Sequence, residues 1–220
     1  MSQLRFVRVL ALAVFIAAMV SAGDAKAKGA KVYNTKGTAS GTNTSVPIDI
    51  SGDSCTLVST IEICTATSSL GIYSGTSSGG PPGTTGAYTG QSILQTIPVA
   101  GVGCSFAPET IASCKIGSNT NGCSYKYVNV DGVGGAGANR LSSNGNIGAF
   151  YITGGTYCYD PNTFAYEGTN TAVSAGGTGP FATVEGTATT TFSGKVLLQD
   201  PAGNGINWFT QTTTGTATAN

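Results

Sequence analysis

The chain predicts an all-β fold, either a sandwich or a closed barrel, and three observations carry that expectation. Runs of period-two alternation recur along its second half, among them Thr163 to Ser174, Phe181 to Phe192 and Ile206 to Thr216. The segments between them carry turn chemistry: Asp160-Pro161-Asn162, Gly176-Gly177 and Asp200-Pro201-Ala202-Gly203-Asn204. No stretch beyond residue 22 shows a sustained helical period with a cap. Threonine and the aromatics favour a pleated, half-buried surface.

Taken in order, the chain opens on a positive head, Arg5 and Arg8, followed by an uncharged apolar run from Val9 to Val20 and the small residues Ser21-Ala22. That is the pattern of a cleaved export signal, too short for a comfortable membrane span of about 20 apolar residues. The expected division is a signal peptide over 1–22, a flexible lead-in over 23–45 and one domain over 46–220. Loss of Arg5 and Arg8 leaves a slightly acidic chain with scattered lysines, which excludes the basic stripe of a nucleic-acid binder. No membrane span is expected after cleavage, and the predicted location is the periplasm or the extracellular space.

Val46 to Ile50 reads as an edge-like strand interrupted by Pro47, and Cys55 to Thr67 as an alternating run that folds back near Ser59-Thr60. Ser74 to Gly90, rich in Gly, Ser, Thr and Pro, reads as a surface loop. Ser92 to Ala100 is a strand limited by Pro98; Gly101 to Gly122 is irregular; Ser124 to Val130 alternates; Asp131 to Asn146 is a second glycine-rich loop. From there the expected strands are Ala149 to Thr153, Thr156 to Tyr159, Thr163 to Ser174, Phe181 to Phe192, Lys195 to Gln199 and Ile206 to Thr216. Turns are expected at Gly154-Gly155 and Ser193-Gly194 as well as at the three sites above.

Six cysteines, all beyond the export signal, predict disulfides formed in an oxidising compartment. Of the 15 possible pairings, local spacing favours Cys55 with Cys64 and Cys104 with Cys114, leaving Cys123 with Cys158. A zinc site is not expected, because no Cys-x-x-Cys pair and no histidine is present.

The segment Cys158-Tyr159-Asp160-Pro161-Asn162-Thr163, then Tyr166-Glu167-Gly168-Thr169, then Gly176-Gly177-Thr178-Gly179-Pro180-Phe181-Ala182 ending at Gly186, resembles bacterial secreted members of the allene oxide cyclase and dirigent-like barrels. Those proteins often carry a GGTGRFAGATG-type turn. The chain keeps the GGTG, the phenylalanine and the final glycine, and departs at Pro180 and at Thr183-Val184-Glu185. The likeness covers the last third of the chain. It implies a single antiparallel, calycin-like barrel of about eight strands with a central cavity.

Histidine is absent, which removes the usual serine and cysteine triads. Glu167 and Glu185 flank the glycine turn and are the candidate catalytic pair for carboxylate chemistry, with exposed exterior acids as the plainer reading. Asp131 to Arg140 lacks the repeated acidic ligands of a calcium turn, and Asp49, Asp53 and Asp200 read as turn-stabilising side chains. No cofactor fingerprint and no metal site is present.

Ten aromatics cluster between Phe150 and Phe209. They fill a core or line an apolar cavity furnished with a few hydroxyls. Tyr151, Tyr166 and Trp208 are the candidate ligand contacts. The expected function is thus an exported, non-catalytic barrel that binds a small apolar ligand, a glycan or an envelope component. The alternatives are a cavity-type isomerase or cyclase, or a dirigent-like enzyme, and a structural surface or matrix protein. The oligomeric state is left open by the sequence.

Overall fold

The computed structural model describes residues 29–49, 56–58, 61–63, 65–99, 112–128, 137–202 and 204–219. The structural unit is Val32–Ala219. The expected export signal, the pairing of Cys55 with Cys64, and residues 131–136 of the second glycine-rich loop lie outside the described residues.

The described strands are β1 (Lys31–Asp49), β2 (Thr56–Val58), β3 (Ile61–Ile63), β4 (Thr65–Ser78), β5 (Gly86–Pro98), β6 (Ser113–Ile116), β7 (Asn119–Tyr127), β8 (Gly137–Ser143), β9 (Asn146–Asp160), β10 (Ala165–Gly177), β11 (Glu185–Gln199) and β12 (Gly205–Ala219). Strands β10, β11, β12, β1, β4, β5, β8 and β9 hydrogen-bond in that order, and β9 pairs back to β10. The result is a closed antiparallel ring of eight strands, so the all-β barrel expectation describes the fold. Closure leaves the eight ring strands paired on both sides.

One position in the ring is shared. The first part of β5, Thr89–Leu94, pairs with β8, and its end, Thr96–Pro98, pairs with Tyr127–Tyr125 of β7. On the other side, β9 pairs with β8 through Asn146–Ile152 and with β7 through Thr156–Tyr159. Strands β7 and β8 therefore run end to end as one interrupted strand. Beyond the end of β5, the edge of β7 is taken over by β6.

The disulfide Cys114–Cys158 ties β6 to β9 across β7. Gly122 lies beneath it, where a side chain would press on both sulfurs. This bridge overturns the expected pairings of Cys104 with Cys114 and Cys123 with Cys158. Spacing along the chain misled because β7, inserted between β5 and β9, carries the β6–β7 hairpin against β9. Cys123 is also disulfide-bonded.

The alternating burial of β11 shows how the ring is filled. Gly186, Ala188, Thr190, Phe192, Gly194 and Val196 are sheltered on the inside, and the odd-numbered residues between them are exposed. Tyr73, Tyr88 and Phe209 pack edge to face with ring centroids 6.3 and 5.9 Å apart, and Ile152 is fully buried beside Tyr127 and Ala172. Space inside an eight-stranded ring is short, so large rings face residues without side chains. A Cβ at Gly90 would fall within the Tyr73 ring, and one at Gly194 within the Tyr166 ring.

That packing explains four departures from the sequence reading. Ser74–Ser78 and Gly86–Gly90 are strand, and only 79–85 form the turn. Ser193-Gly194 continues β11, with Gly194 opposite Phe209. Gly154-Gly155 lies within β9, at a register shift against β10 between Thr171 and Ala172. The expected flexible lead-in is β1 from Lys31 onward, because alternating small inward and polar outward residues suit a ring strand as well as a tail. The sequence reading does anticipate the fold-back of β2 onto β3, with Val58 opposite Ile61.

The ends of the ring are closed by turns. At one end Gly179–Phe181 forms a 3-10 turn that buries Phe181 against Gly148 and Gly177, while Pro180 covers Gly83 of the β4–β5 turn. At the other, Asp160 accepts hydrogen bonds from the Thr163 hydroxyl (2.7 Å) and the Asn162 N–H (2.9 Å). Those bonds, the Thr163 one foremost, hold its carboxyl below the usual range. Asp200 accepts from the Asn204 N–H at 2.9 Å, the turn role the sequence predicts for it. Gly90→Ala should cost about 1–3 kcal/mol by overpacking Tyr73, read as a lowered midpoint of urea unfolding at unchanged slope. An unchanged midpoint would mean that the ring interior has slack there.

Candidate functional site

The ring encloses a cavity of about 200 Å3 between its waist and the end carrying the β9–β10 and β11–β12 turns. Its walls differ. From β12 through β1 and β4 to β5 the lining is mostly polar and hydroxyl-rich, with Asn207, Asn43, Ser45, Thr67, Ser69, Ser92 and Thr96, and with Phe209 and Leu94 among them. From β7 through β9 and β10 to β11 it is largely aromatic, with Tyr125, Tyr127, Tyr157, Tyr159, Tyr166 and Phe192, interrupted by Asn170 on β10 and by Thr190 and Val196 on β11. Strand order produces the division, since the tyrosines belong to β7, β9 and β10: β9 and β10 pair directly, and Tyr125 and Tyr127 join them because β7 enters the ring beside β9.

The aromatic wall is built of touching rings. Tyr125 and Tyr157 stack at 4.9 Å with planes 9° apart, and Tyr166 lies edge-on to Tyr157 at 6.4 Å. Tyr127 and Tyr166 both reach Phe192 at 6.2 Å. The Tyr166 hydroxyl donates to the Trp208 carbonyl at 3.1 Å, and the Tyr157 and Thr96 hydroxyls are 3.4 Å apart. Burial, which disfavours the phenolate, pushes the pKa of Tyr127, Tyr157 and Tyr166 well above the ordinary value, so these groups are neutral hydroxyls at physiological pH.

Among the described residues, two fully buried side-chain polar atoms lack hydrogen-bond partners, and both belong to residues that line the cavity. Asn170 on β10 and Asn207 on β12 are each 7 % exposed, and neither Oδ1 has a hydrogen-bond partner. Each amide is held by its other end. The Asn170 side chain is bonded to the Tyr127 hydroxyl, and the Asn207 Nδ2 donates to Asn43 Oδ1 at 2.6 Å. Exchanging oxygen and nitrogen in either amide would orphan a donor in place of an acceptor. A buried polar group left unpaired costs about 1–3 kcal/mol, so both sites call for something to fill them. Asn170 faces Thr190 and Asn207 faces Val196, six positions apart on β11, so the two groups stand at different heights.

No charged side chain lines this cavity among the described residues. Beyond a waist where the Thr190 and Thr213 hydroxyls meet at 2.9 Å and Gln211 is bonded to Tyr88, a second, more apolar chamber of about 140 Å3 is lined by Tyr73, Leu141, Phe150, Phe181 and Val184.

The structure separates the residues singled out from sequence. Tyr166 lines the cavity. Tyr151 and Trp208 point outward and are nearly half exposed, because their neighbours in the alternation, Ile152 and Asn207, take the inward places. Glu167 and Glu185 are both exposed on the outer face. Glu167 pairs with Ser193, eight positions along β11 from Glu185, about 26 Å at strand rise. They do not form a carboxylate pair. Sequence reasoning missed Asn170 and Asn207, which carry no signal beyond their parity with Tyr166 and Phe209.

The tyrosines give the site a measurable pH response. The folded-state pKa of Tyr73, Tyr127, Tyr157 and Tyr166 is raised by burial, while an unfolded tyrosine titrates near about 10. Their contribution to stability is complete below about pH 10 and is lost as pH rises towards the folded values. Alkaline titration followed by phenolate absorbance should show fewer than the nine tyrosines ionising reversibly, the rest appearing together with unfolding. Ionisation of all nine near pH 10 in folded protein would contradict the buried wall.

No family model matches the chain, and no curated protein matches it. Among solved structures, the enduracididine biosynthesis enzyme MppR, complexed with the condensation product of pyruvate and imidazole 4-carboxaldehyde, aligns over 90% of each chain at 9% identity. The TM-score of that alignment is 0.21, too low to carry an argument about fold or function.

Proposed function

We propose that the chain is an exported, non-catalytic β-barrel protein that holds one small uncharged molecule inside its ring. The observation that carries the reading is the pair of buried amide oxygens, Oδ1 of Asn170 and of Asn207, that have no partner in a cavity walled largely by aromatic rings. A few fixed polar groups among aromatic side chains are the usual make-up of a small-molecule site. The volume of about 200 Å3 is below the roughly 300–1,000 Å3 of sites for drug-sized ligands, which limits the occupant to about one ring. Export is supported by Arg5 and Arg8 ahead of the apolar run Val9 to Val20, and by the disulfide-bonded cysteines, which fit the periplasm or the extracellular space.

The resemblance to allene oxide cyclase and dirigent-like barrels also admits a cavity-type isomerase. Binding is the stronger reading because the described lining offers no carboxylate or amine, and its buried tyrosines are held protonated.

Saturation-transfer NMR on the exported chain with its disulfides intact tests the proposal, with phenol and cyclohexanol as neutral one-ring probes. Both should receive saturation. Ser69→Phe, which fills the cavity from β4, should weaken them at least about tenfold, or about 1.4 kcal/mol, with the near-UV circular dichroism retained. Absence of transfer to any neutral one-ring probe, or transfer indifferent to Ser69→Phe, would refute the cavity as a ligand site.

A further inference from the structure

We infer that the occupant is a neutral pyranose sugar, lying with one face on the tyrosine wall and its hydroxyls directed at the polar wall and at the two unpartnered amide oxygens. This inference rests on the reading of the cavity as a ligand site and goes further by naming the ligand's chemistry.

The two-sided lining selects the class. A pyranose ring has a face of C–H groups that packs on aromatic carbon and a rim of hydroxyls that both donate and accept. Tyr125, Tyr157 and Tyr166, which touch one another along one side of the cavity, supply the aromatic carbon. The opposite wall supplies short, uncharged hydroxyls and amides on four successive strands: Asn207 on β12, Asn43 and Ser45 on β1, Ser69 on β4 and Ser92 on β5. A hydroxyl satisfies an orphaned carbonyl or an orphaned amide N–H equally, so it matches Asn170 and Asn207 in either amide orientation.

Other classes leave part of the lining unmatched. A simple phenol covers the tyrosine wall but brings one hydroxyl to two amides at different heights. An aliphatic chain satisfies neither amide, and each would remain an unpaired buried group. An amino acid, nucleotide or sugar acid brings a charge into a cavity whose described lining has no counter-charge, at a desolvation cost that nothing offsets. A site built around hydroxyl partners rejects analogues that lack them far more strongly than it rejects a change of one methylene.

The test uses methyl glucoside, methyl galactoside and methyl mannoside on the full exported chain, with glucuronic acid, phenol and cyclohexanol alongside. At least one methyl pyranoside should bind, with saturation strongest on the C–H protons of one ring face, and glucuronic acid should bind at least about tenfold more weakly. Asn207→Leu should lose the pyranoside at least tenfold while leaving phenol unaffected. Should that variant misfold, Tyr125→Leu, which removes one ring of the stack, should weaken the sugar and shift the saturated face. Binding of phenol or cyclohexanol with no pyranoside binding would overturn the sugar assignment and leave the cavity reading intact. If no neutral ring binds, both fall. Equal binding of glucuronic acid and the pyranosides would also overturn it, because the uncharged lining would then not govern selection.

Discussion

Everything inside this protein is governed by the narrowness of an eight-stranded ring. Once β12 pairs with β1 and β9 with β10, the interior is just wide enough for side chains to fill it. Three large aromatics are admitted where the residue beside them carries no side chain. Tyr73 takes the space over Gly90, Tyr166 the space over Gly194, and Phe181 the space over Gly148. These pairs fix which levels of the ring are solid. The cavity occupies the level where the inward positions of β1 and β4 hold serine, threonine and asparagine, residues too short to meet the tyrosines opposite.

The same constraint explains what the sequence revealed and what it concealed. Period-two runs and Asp-Pro turns were enough for the strands, because inward and outward residues alternate along a ring strand as they do on any half-buried sheet. Glycine was the ambiguous letter. At Gly176 it supplies a φ of +85° at a register shift near the end of β10, just ahead of the turn. At Gly90 and Gly194 it marks a vacancy for an aromatic ring, and no local signal separates the two uses. Reading glycine as punctuation divided β11 and shortened β4 and β5.

The site was legible only in part for a related reason. The tyrosines were visible as a cluster, but which of them turn inward depends on register, and a one-residue difference reverses the face. Tyr166 and Trp208 are both aromatic residues in alternating runs, yet only Tyr166 has the inward parity. The contribution of β7 was hidden altogether. Tyr125 and Tyr127 reach the cavity because β7 replaces β8 at one end of the ring, a long-range arrangement that spacing along the chain does not encode. The cysteine pairing failed for that reason too: Cys114 and Cys158 are 44 residues apart and meet only because β7 brings its hairpin to β9.

That substitution ties the disulfide to the cavity. Tyr125 and Tyr127 follow Gly122 on the strand that the Cys114–Cys158 bridge crosses, so the bridge braces the segment that supplies part of the aromatic wall. Strands β8 to β12 hold their positions by longer ladders, whereas β7 touches β5 through three residue pairs and β9 through four. A wall built on so short a pairing would otherwise be the first to open, because local stability follows the contacts a segment makes. A cross-link at its base costs the binding surface nothing, since it lies on the outer side of β7 while the rings lie on the inner one. The ring thus makes its cavity from a rigid polar side that closure alone secures and an aromatic side that needs covalent support.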